Sequence, residues 1–362
     1  MLNKKGSSTI SIRAAVSRGA GRPLKIERLE MDLPRDDEVL VRLVASGICH
    51  TDIGFMDSSG SILGHEGAGI VEQVGGHVKG LRRGDHVVLS YQSCGRCRSC
   101  RGSRPADCEH FWEANFGFAR FDGSSAYHGD VRGHFFGQSS FATHTLATER
   151  NIVKVSRTLP LDLLAPLGCG LQTGAGTVMN SLAVKARSSV AVFGTGAVGL
   201  AAVMAAKIVG AKTIIGVDIN PRRLKLALDL GATHTINSRK DSVIERIKEI
   251  TGGGIDYIVE DTGDQELYRF GIDLLNPNGT MAILTGGSGT DSLPGGRRVI
   301  SVIQGDAVPQ RFIPKLIGLY KRGKFPFDRL VKFYNFSEIN RAVADAERGA
   351  TIKPVVRIGK PG

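Results

Sequence analysis

Apolar positions along the chain follow two different patterns, and the change between them lies near residue 175. Before it, short β-branched runs such as Val39–Ala45 and Gly69–Val74 are separated by glycine-rich turns, which is typical of a mostly-β domain. The stretch from Phe111 to Phe141 is glycine-rich and partly aromatic, and its weak periodicity predicts a loop-rich segment.

Beyond residue 175, apolar strands alternate with helical segments. The predicted strands are Ser189–Phe193, Thr213–Asp218, His234–Ile236 and Ile255–Glu260, and the helices between them are Ala197–Val209, Pro221–Leu230 and Asp241–Ile250. This alternation predicts βαβ units and a parallel sheet. Two further helices and a final strand follow: Pro309–Arg322, Phe336–Gly349 and Lys353–Ile358. The fold class is therefore α/β, with a mostly-β domain placed first.

Composition agrees with a globular chain of two domains. The sequence has 362 residues, of which 41% are hydrophobic and 23% charged. Its net charge of +12 raises nucleic acid as a partner, and a zinc-ribbon nucleic-acid-binding protein is the distant alternative. The basic residues are spread over both halves without interleaved aromatic residues, so we expect no nucleic-acid partner.

No membrane span and no secretory signal are expected. The longest apolar run, Ala191–Ile208, is interrupted by glycines and a lysine, and no apolar stretch follows the basic N-terminal residues. Six cysteines in such a chain favour metal binding or catalysis over disulfides. We therefore expect a reducing compartment, the cytoplasm.

Four of the cysteines form a compact cluster with the spacing C-x2-C-x2-C-x7-C: Cys94, Cys97, Cys100 and Cys108. Four thiolates at this spacing can surround one tetrahedral zinc ion, as in closed structural sites. The neighbouring residues Arg96, Arg98 and Arg101 would offset the negative charge of the thiolates. An iron–sulfur cluster, or a surface loop of free or disulfide-linked cysteines, is the alternative.

The other two cysteines lie in glycine-flanked turns, Cys49 after Gly47 and Cys169 between two glycines, and His65 lies between them in the chain. Two sulfurs and one imidazole would leave a fourth position open, as a catalytic zinc requires. The wide spacing alone leaves an ordinary structural role open for each of the three.

A dinucleotide-binding motif, G-x-G-x-x-G, follows a predicted strand and opens a predicted helix: Gly194, Thr195, Gly196, Ala197, Val198 and Gly199. Helix N-terminal N–H groups behind such a turn can bind a pyrophosphate. Asp218 ends the next strand, where a carboxylate accepts hydrogen bonds from an unmodified ribose and repels a 2′-phosphate. NAD is therefore favoured over NADP, although Arg222 and Arg223 could accommodate the phosphate.

With these motifs in order, the chain resembles the zinc-dependent medium-chain alcohol dehydrogenase family from about Ile12 to Ile358. The segment beginning at Gly64-His65-Glu66 matches that family's signature G-H-E-x-x-G-x5-G-x2-V. The resemblance implies a GroES-like catalytic domain and a Rossmann cofactor domain. Their expected bounds are 1–170 with 309–362, including a zinc lobe at about 90–112, and 171–308.

The same resemblance assigns roles around the catalytic zinc of Cys49, His65 and Cys169. Asp52 would fix the His65 tautomer, Glu66 would lie behind the metal as a transient ligand, and Thr51 would take the proton of the alcohol. His50 and Arg223 match cofactor contacts. Gly54 stands where the family often has the histidine that ends the proton relay, so solvent, reached through Thr51 and the cofactor ribose, is the expected acceptor.

The resemblance implies an NAD-dependent alcohol dehydrogenase with two zinc ions per chain and a small-molecule alcohol or aldehyde as substrate. Three segments are similar to the aryl-alcohol, or benzyl alcohol, branch, which favours a primary aromatic or allylic alcohol: Phe136–Thr143, Gly168–Gly176 and Gly305–Pro314. Terpene, aliphatic and polyol alcohols and formaldehyde adducts are the alternatives. A homodimer or homotetramer is implied by resemblance only. Trp112 could line the substrate pocket, but a small local core is the commoner role for such an aromatic residue.

Overall fold

The computed structural model of the chain describes residues 8–286 and 290–360. For residues 290–292 it describes the backbone but not the side chains. The expectation about a secretory signal concerns residues 1–8, and all of these except Ser8 lie outside the described part. The described chain forms two compact units. One extends to Cys169 and resumes at Asp328, and the other is Gly170–Phe327.

The secondary structure of the described residues is as follows. The strands are β1 (Thr9–Val16), β2 (Lys25–Asp32), β3 (Glu38–Gly47), β4 (Glu66–Val74), β5 (His86–Leu89), β6 (His144–Thr148), β7 (Ile152–Val155), β8 (Ser189–Phe193), β9 (Thr213–Asp218), β10 (His234–Asn237), β11 (Ile255–Glu260), β12 (Leu275–Ile283), β13 (Thr290–Leu293), β14 (Arg297–Ser301), β15 (Val331–Asn335) and β16 (Lys353–Arg357). The α-helices are α1 (His50–Gly54), α2 (Arg98–Arg101), α3 (Phe111–Phe116), α4 (Leu161–Leu164), α5 (Gly170–Gly176), α6 (Ala197–Ile208), α7 (Pro221–Leu230), α8 (Val243–Thr251), α9 (Gln265–Leu274), α10 (Pro309–Lys321) and α11 (Ile339–Glu347).

The first unit is built around a mostly antiparallel sheet. Its strand order is β15-β16-β3-β4-β5-β7, with β6 also paired to β3, and a separate hairpin joins β1 to β2. The central strand β3 is buried along almost its whole length, because its β-branched and leucine side chains fill the core on both faces. Both chain segments of this unit meet here, since β16 pairs antiparallel with the end of β3 at Gly47.

The second unit is a parallel sheet with the strand order β10-β9-β8-β11-β12-β14-β13, and β13 alone runs antiparallel to its neighbour in the described ranges. Counted along the unit, the six parallel strands have the order 3-2-1-4-5-6 of a Rossmann fold. The order reverses between β8 and β11, which makes the carboxyl end of β8 the expected place for a ligand. The predicted βαβ alternation is confirmed, and the predicted bounds of β9, α7 and β11 match those observed.

Several predicted bounds differ from the structure, and three of the differences bear on the site or the domain division. The segment Phe111–Phe141 contains the short helix α3, which buries Phe111, Ala114 and Asn115 on one face. The final helix begins as a 3-10 turn at Phe336 and ends at Glu347. The chain returns to the first unit at Asp328 rather than at 309, because α10 packs against α5 in the second unit.

Within the described residues, no helix is both long and apolar enough to cross a bilayer.

Candidate active site

The first group of candidate residues converges in the first unit. Cys49 directly precedes α1, His65 directly precedes β4, Glu66 begins that strand, and Cys169 follows a 3-10 turn that ends at Gly168. One potential ligand atom from each of these four residues lies within 4.8 Å of every other. The structure therefore brings together residues that are more than a hundred positions apart in the sequence.

Within the described residues, the imidazole of His65 is hydrogen-bonded through one of its two nitrogens. Its Nδ1 donates to Asp52 Oδ1 over 2.8 Å, while its Nε2 is buried and has no hydrogen-bond partner among the described residues. The same Asp52 carboxylate accepts from the backbone N–H groups of Gly64 (3.0 Å) and Cys49 (2.9 Å). Leaving a buried nitrogen without a hydrogen bond costs about 1–3 kcal/mol. We therefore infer that Nε2 binds a ligand placed between it and the sulfurs of Cys49 and Cys169.

The charges at this cluster are shared in a way that suits a divalent cation. Burial opposes protonation of His65, but the Asp52 carboxylate outweighs it and raises the pKa of the imidazole to about 10. The hydrogen bond between the two thiols places the pKa of Cys49 well below, and that of Cys169 well above, the ordinary value. These shifts favour a proton on the imidazole and a negative charge on Cys49. A dication would replace that proton and let both sulfurs ionise, so the donor set fits a zinc ion.

Glu66 is held by a residue that the sequence did not single out. Lys353, at the start of β16, donates to both Glu66 oxygens over 2.8 and 3.0 Å and to the carbonyl of Ile48 over 3.1 Å. Both side chains are almost fully buried. Burial raises the pKa of the Glu66 carboxyl, whereas for Lys353 the attraction of Glu66 overcomes burial and raises the pKa of the ammonium. Lys353 therefore supplies a buried positive charge directly behind the cluster.

Besides Asp52, three residues singled out from the sequence lie on α1. Thr51 is half-buried, and its Oγ1 lies 3.8 Å from Cys49 Sγ, close to the cluster. His50 is exposed at the first helical position. Gly54 is also exposed, and a Cβ built there would meet nothing within 4 Å. A hydroxyl therefore adjoins the cluster, while the residue at position 54 offers no titratable group.

The four-cysteine segment forms a second cluster, in which all four sulfurs lie within 4.8 Å of one another. Backbone N–H groups donate to three of the sulfurs, those of Cys94 (3.4 Å), Cys97 (3.4 Å) and Cys108 (3.3 Å). Such N–H groups, from Cys100 above all, lower the pKa of Cys97 to about 6. None of the six cysteines, all in the described part of the chain, forms a disulfide. The segment therefore fits a tetrathiolate zinc site.

Arg150 is a charge at this lobe that sequence reasoning missed. Its guanidinium lies against Gly95, where a Cβ would come within 1.7 Å of it. Only glycine therefore leaves room for this cation beside Cys94. No signal in the sequence links Arg150 to the lobe, because more than fifty residues separate them.

The glycine motif lies in the second unit, between β8 and α6. Gly194 adopts φ +89°, and its N–H donates to the carbonyl of Val217 over 2.8 Å. A Cβ at Gly199 would lie 1.8 Å from the Gly194 carbonyl oxygen, whereas one at Gly196 would meet nothing within 4 Å. The turn is thus closed by Gly194 and Gly199 and open at Gly196, which precedes α6 without a side-chain cap. These residues fit a dinucleotide whose phosphates approach the helix N-terminus.

Asp218, at the end of β9, lies beside this turn. Its Oδ2 accepts from the backbone N–H (2.8 Å) and the hydroxyl (2.9 Å) of Thr195, and its Oδ1 accepts from the N–H of Asn220 over 2.8 Å. Arg223 is half-buried in the first turn of α7, and its Nε is buried without a hydrogen-bond partner among the described residues. The predicted acidic residue therefore lies against the glycine turn, and the predicted arginine follows it in the first turn of α7.

Aromatic side chains extend from the first cluster toward the surface. Phe136 stacks on His65 with ring centroids 4.4 Å apart, and Phe116 contacts Phe136 at 5.0 Å. Phe55 stacks on Phe116 at 5.1 Å, and Trp112, which is 68% exposed, lies 4.9 Å from the same ring. Trp112 thus caps an aromatic cluster that reaches the His65 imidazole.

Comparisons with known proteins agree with this geometry. Residues 35–157 match the family model of the alcohol dehydrogenase GroES-like domain, and residues 197–306 match that of the zinc-binding dehydrogenases. The chain is 42% identical to geraniol dehydrogenase of Castellaniella defragrans, over 96% of this chain and 98% of that protein.

Two crystal structures are similar over 97% of this chain and the whole of the other. They are an alcohol dehydrogenase zinc-binding domain protein from Burkholderia ambifaria (51% identity, TM-score 0.93) and benzyl alcohol dehydrogenase from Acinetobacter calcoaceticus (45% identity, TM-score 0.92). The resemblance noted in the sequence is thereby confirmed, as is the combination of a GroES-like and a Rossmann domain. The chain belongs to the zinc-dependent medium-chain alcohol dehydrogenases, oxidoreductases that use a nicotinamide cofactor and a small-molecule substrate.

Proposed function

We propose that this protein catalyses the reversible, NAD-dependent oxidation of a primary aromatic or allylic alcohol to its aldehyde. The observation that carries the proposal is the buried, unpartnered Nε2 of His65 beside the sulfurs of Cys49 and Cys169. Membership of the family supplies the reaction class, and the geometry supports the choice of residues.

Cys49, His65 and Cys169 would hold the catalytic zinc. Zinc bound there supplies Lewis acidity, which lowers the pKa of a coordinated alcohol so that it ionises near neutral pH. Asp52 accepts a hydrogen bond from Nδ1–H of His65 and so keeps the lone pair of Nε2 available to a metal ion that the two sulfurs would share. Lys353 donates hydrogen bonds to both Glu66 oxygens. Glu66 would become a transient metal ligand only when these bonds break.

Thr51 would take the proton of the substrate alcohol, because its hydroxyl lies beside Cys49. With glycine at position 54, the proton would leave through Thr51 and the cofactor ribose to solvent. NAD⁺, when bound, would supply the acceptor for the hydride of the ionised alcohol, so that the aldehyde and the reduced cofactor are the products.

The cofactor would lie with its pyrophosphate over Gly194–Gly199 and its adenosine ribose against Asp218. A carboxylate at this position favours the ribose diol of NAD over the 2′-phosphate of NADP. His50 and Arg223 are the further cofactor contacts that we propose.

The substrate class follows from the aromatic cluster and from the relatives. The rings of Phe136, Phe116 and Trp112 offer flat apolar surface on the approach to His65, suited to an aryl or allylic group. Two similar proteins are named for benzyl alcohol and for geraniol. Since geraniol is also a terpene alcohol, a terpene alcohol is the second candidate.

Four further features belong to the proposal. Cys94, Cys97, Cys100 and Cys108 would hold a second, structural zinc ion. We place the protein in the reducing cytoplasm, because all six cysteines would be needed as metal ligands. A homodimer or homotetramer is proposed from the resemblance, and nucleic acid is not proposed as a partner.

A substrate panel tests the function. Benzyl, cinnamyl, terpene and aliphatic alcohols would be compared with NAD⁺ and NADP⁺ by the absorbance of the reduced cofactor. The highest kcat/KM is expected for benzyl or cinnamyl alcohol with NAD⁺. Highest turnover with an aliphatic alcohol would contradict the substrate class. Cys49→Ser should abolish turnover while NAD⁺ still binds, and metal analysis should give two zinc ions per chain, falling to one in Cys49→Ser.

A further inference from the structure

We propose that Thr195 is a positioning residue for cofactor selectivity: its buried hydroxyl fixes the Asp218 carboxylate in the orientation that favours NAD over NADP. The proposal rests on the NAD preference proposed above. It goes further because it assigns the discrimination to two side chains acting together, of which only one would touch the ribose.

The contacts that tie the two residues are short. Thr195 is fully buried, and both its backbone N–H and its hydroxyl donate to the same oxygen, Asp218 Oδ2, over 2.8 and 2.9 Å. The other oxygen, Oδ1, accepts one N–H, that of Asn220, over 2.8 Å. One edge of the carboxylate is thus occupied by the glycine turn, while Oδ1 keeps acceptor capacity for a further donor.

The conformation of Thr195 is set by its surroundings. Its methyl group lies over Gly216, where a Cβ would come within 3.2 Å of it, and its backbone lies between Gly194 and Gly196 in the turn. This packing of the methyl group restricts the χ1 angle of the β-branched side chain, and the hydroxyl is directed to Asp218. The turn that would bind the pyrophosphate and the carboxylate that would read the ribose are therefore mechanically linked.

Electrostatics explains why fixing the carboxylate matters for selectivity. No lysine or arginine forms an ion pair with Asp218 in the part of the chain that the structure describes, and only 8% of the residue is exposed. A ribose diol can donate a hydrogen bond to Oδ1, whose position is fixed by the bonds that Thr195 makes to Oδ2. A 2′-phosphate brings added negative charge to a carboxylate that two hydrogen bonds from Thr195 hold in place and that forms no ion pair within the described residues.

A second carboxylate in the same sheet provides an internal comparison. Glu260, at the end of β11, also accepts from the N–H (2.7 Å) and the hydroxyl of a threonine, Thr262. Thr262 follows Glu260 by two residues, so this contact stays within one loop. Thr195 instead follows β8 and contacts a carboxylate at the end of β9. Thr262→Val is therefore a matched control: it removes a threonine hydroxyl from a strand-end carboxylate other than Asp218 and keeps the methyl group that lies beside Gly194.

The test uses the full-length, zinc-loaded protein. Dissociation constants for NAD⁺ and NADP⁺ would be measured by isothermal titration calorimetry for wild type, Thr195→Val, Thr195→Ser, Thr262→Val and Asp218→Asn. Thr195→Val keeps the shape of the side chain and loses one hydrogen bond to a charged group. We expect the preference for NAD⁺ over NADP⁺ to fall roughly tenfold in Thr195→Val. Thr195→Ser and Thr262→Val should keep it within about threefold of wild type.

The outcomes separate the two levels of the proposal. If wild type binds NADP⁺ as tightly as NAD⁺, the proposed NAD preference is wrong. If Asp218→Asn leaves the ratio unchanged, the preference does not come from Asp218, and the role of Thr195 is wrong with it. If Asp218→Asn collapses the ratio and Thr195→Val leaves it unchanged, only the role of Thr195 is wrong. Equal weakening of both cofactors in Thr195→Val would show that the hydroxyl merely supports the turn, which also overturns the proposal. Should Thr195→Val fail to fold by circular dichroism, Thr195→Ala takes its place in the same comparison.

Discussion

The buried pair of Lys353 and Glu66 makes a quantitative prediction about stability. In Lys353→Met, the ammonium is replaced by an apolar side chain, and the Glu66 carboxylate, which is fully buried, loses both of its hydrogen bonds to that nitrogen. The carbonyl of Ile48 loses its donor as well. The variant therefore contains a buried charge without its cation, the situation in which removing one partner of an ion pair is most costly.

The expected cost is about 3–5 kcal/mol, the usual penalty for breaking one side of a buried ion pair. The double variant Lys353→Met with Glu66→Gln removes the charge as well as its partner. It should regain most of that loss, because a neutral pair of similar volume costs little to bury. The coupling energy of the double-mutant cycle should therefore amount to several kcal/mol, well above the roughly 0–1 kcal/mol of an exposed ion pair.

Urea unfolding followed by far-UV circular dichroism measures these differences, with the denaturant slope compared between variants. Each protein should be measured with zinc and with a chelator, since Glu66 adjoins the proposed zinc ligands. A single variant within about 1 kcal/mol of wild type would refute the argument, because solvent or rearrangement would then be neutralising Glu66. So would a double variant no more stable than the single one.

Three further predictions concern other parts of the first unit. Burial, helped by Arg120, lowers the pKa of His134 to about 4 from its ordinary 6.5, and its Nε2 accepts from the N–H of Ala126 over 3.1 Å. The neutral imidazole contributes its stability above pH 6.5, and that contribution is lost as the pH falls through 4. Between these two pH values the free energy of urea unfolding should therefore fall by about 3 kcal/mol more in wild type than in His134→Gln. The same pH dependence of that free energy in both proteins would contradict this. Gln138→Leu should weaken zinc binding roughly 10–100-fold in chelator competition, because the amide holds the segment that carries the proposed ligand; unchanged affinity would refute that role. Cys97→Ser should leave one zinc ion per chain and lower the unfolding midpoint, whereas two zinc ions in the variant would exclude the structural site.

Local patterns determined how much of the fold could be predicted. The strand Thr213–Asp218 and the helix Pro221–Leu230 have the predicted bounds, because each follows from the period of its own apolar residues and from a proline at the helix start. The pairing of β16 with β3 brings together residues more than 300 positions apart, and no local period encodes it. The position of α10 in the second unit likewise depends on packing against α5.

The candidate site divides in the same way. The four-cysteine lobe and the glycine turn are contiguous motifs, and both form clusters that fit their ligands. Cys49, His65 and Cys169 could be joined before the structure only through the family resemblance, since their spacing alone left structural roles open. Lys353 escaped detection because it is 287 residues from Glu66, and an isolated lysine in a strand has no pattern that marks it.

The segment around residues 134–139 shows what a pattern of residue types cannot predict. His134, Phe136 and Ser139 all have left-handed backbone conformations, with φ of 62°, 54° and 52°, which are unfavourable for residues other than glycine. The strain is offset by contacts to the site: Phe136 stacks on His65, and Gln138 Nε2 donates to the carbonyls of His65 (3.0 Å) and Ser90 (2.9 Å). The weak periodicity of this stretch indicated a loop, but a loop held this tightly acts as a rigid support for His65. That rigidity resides in contacts across some 70 residues of sequence, and so it becomes visible only when the partners are in place.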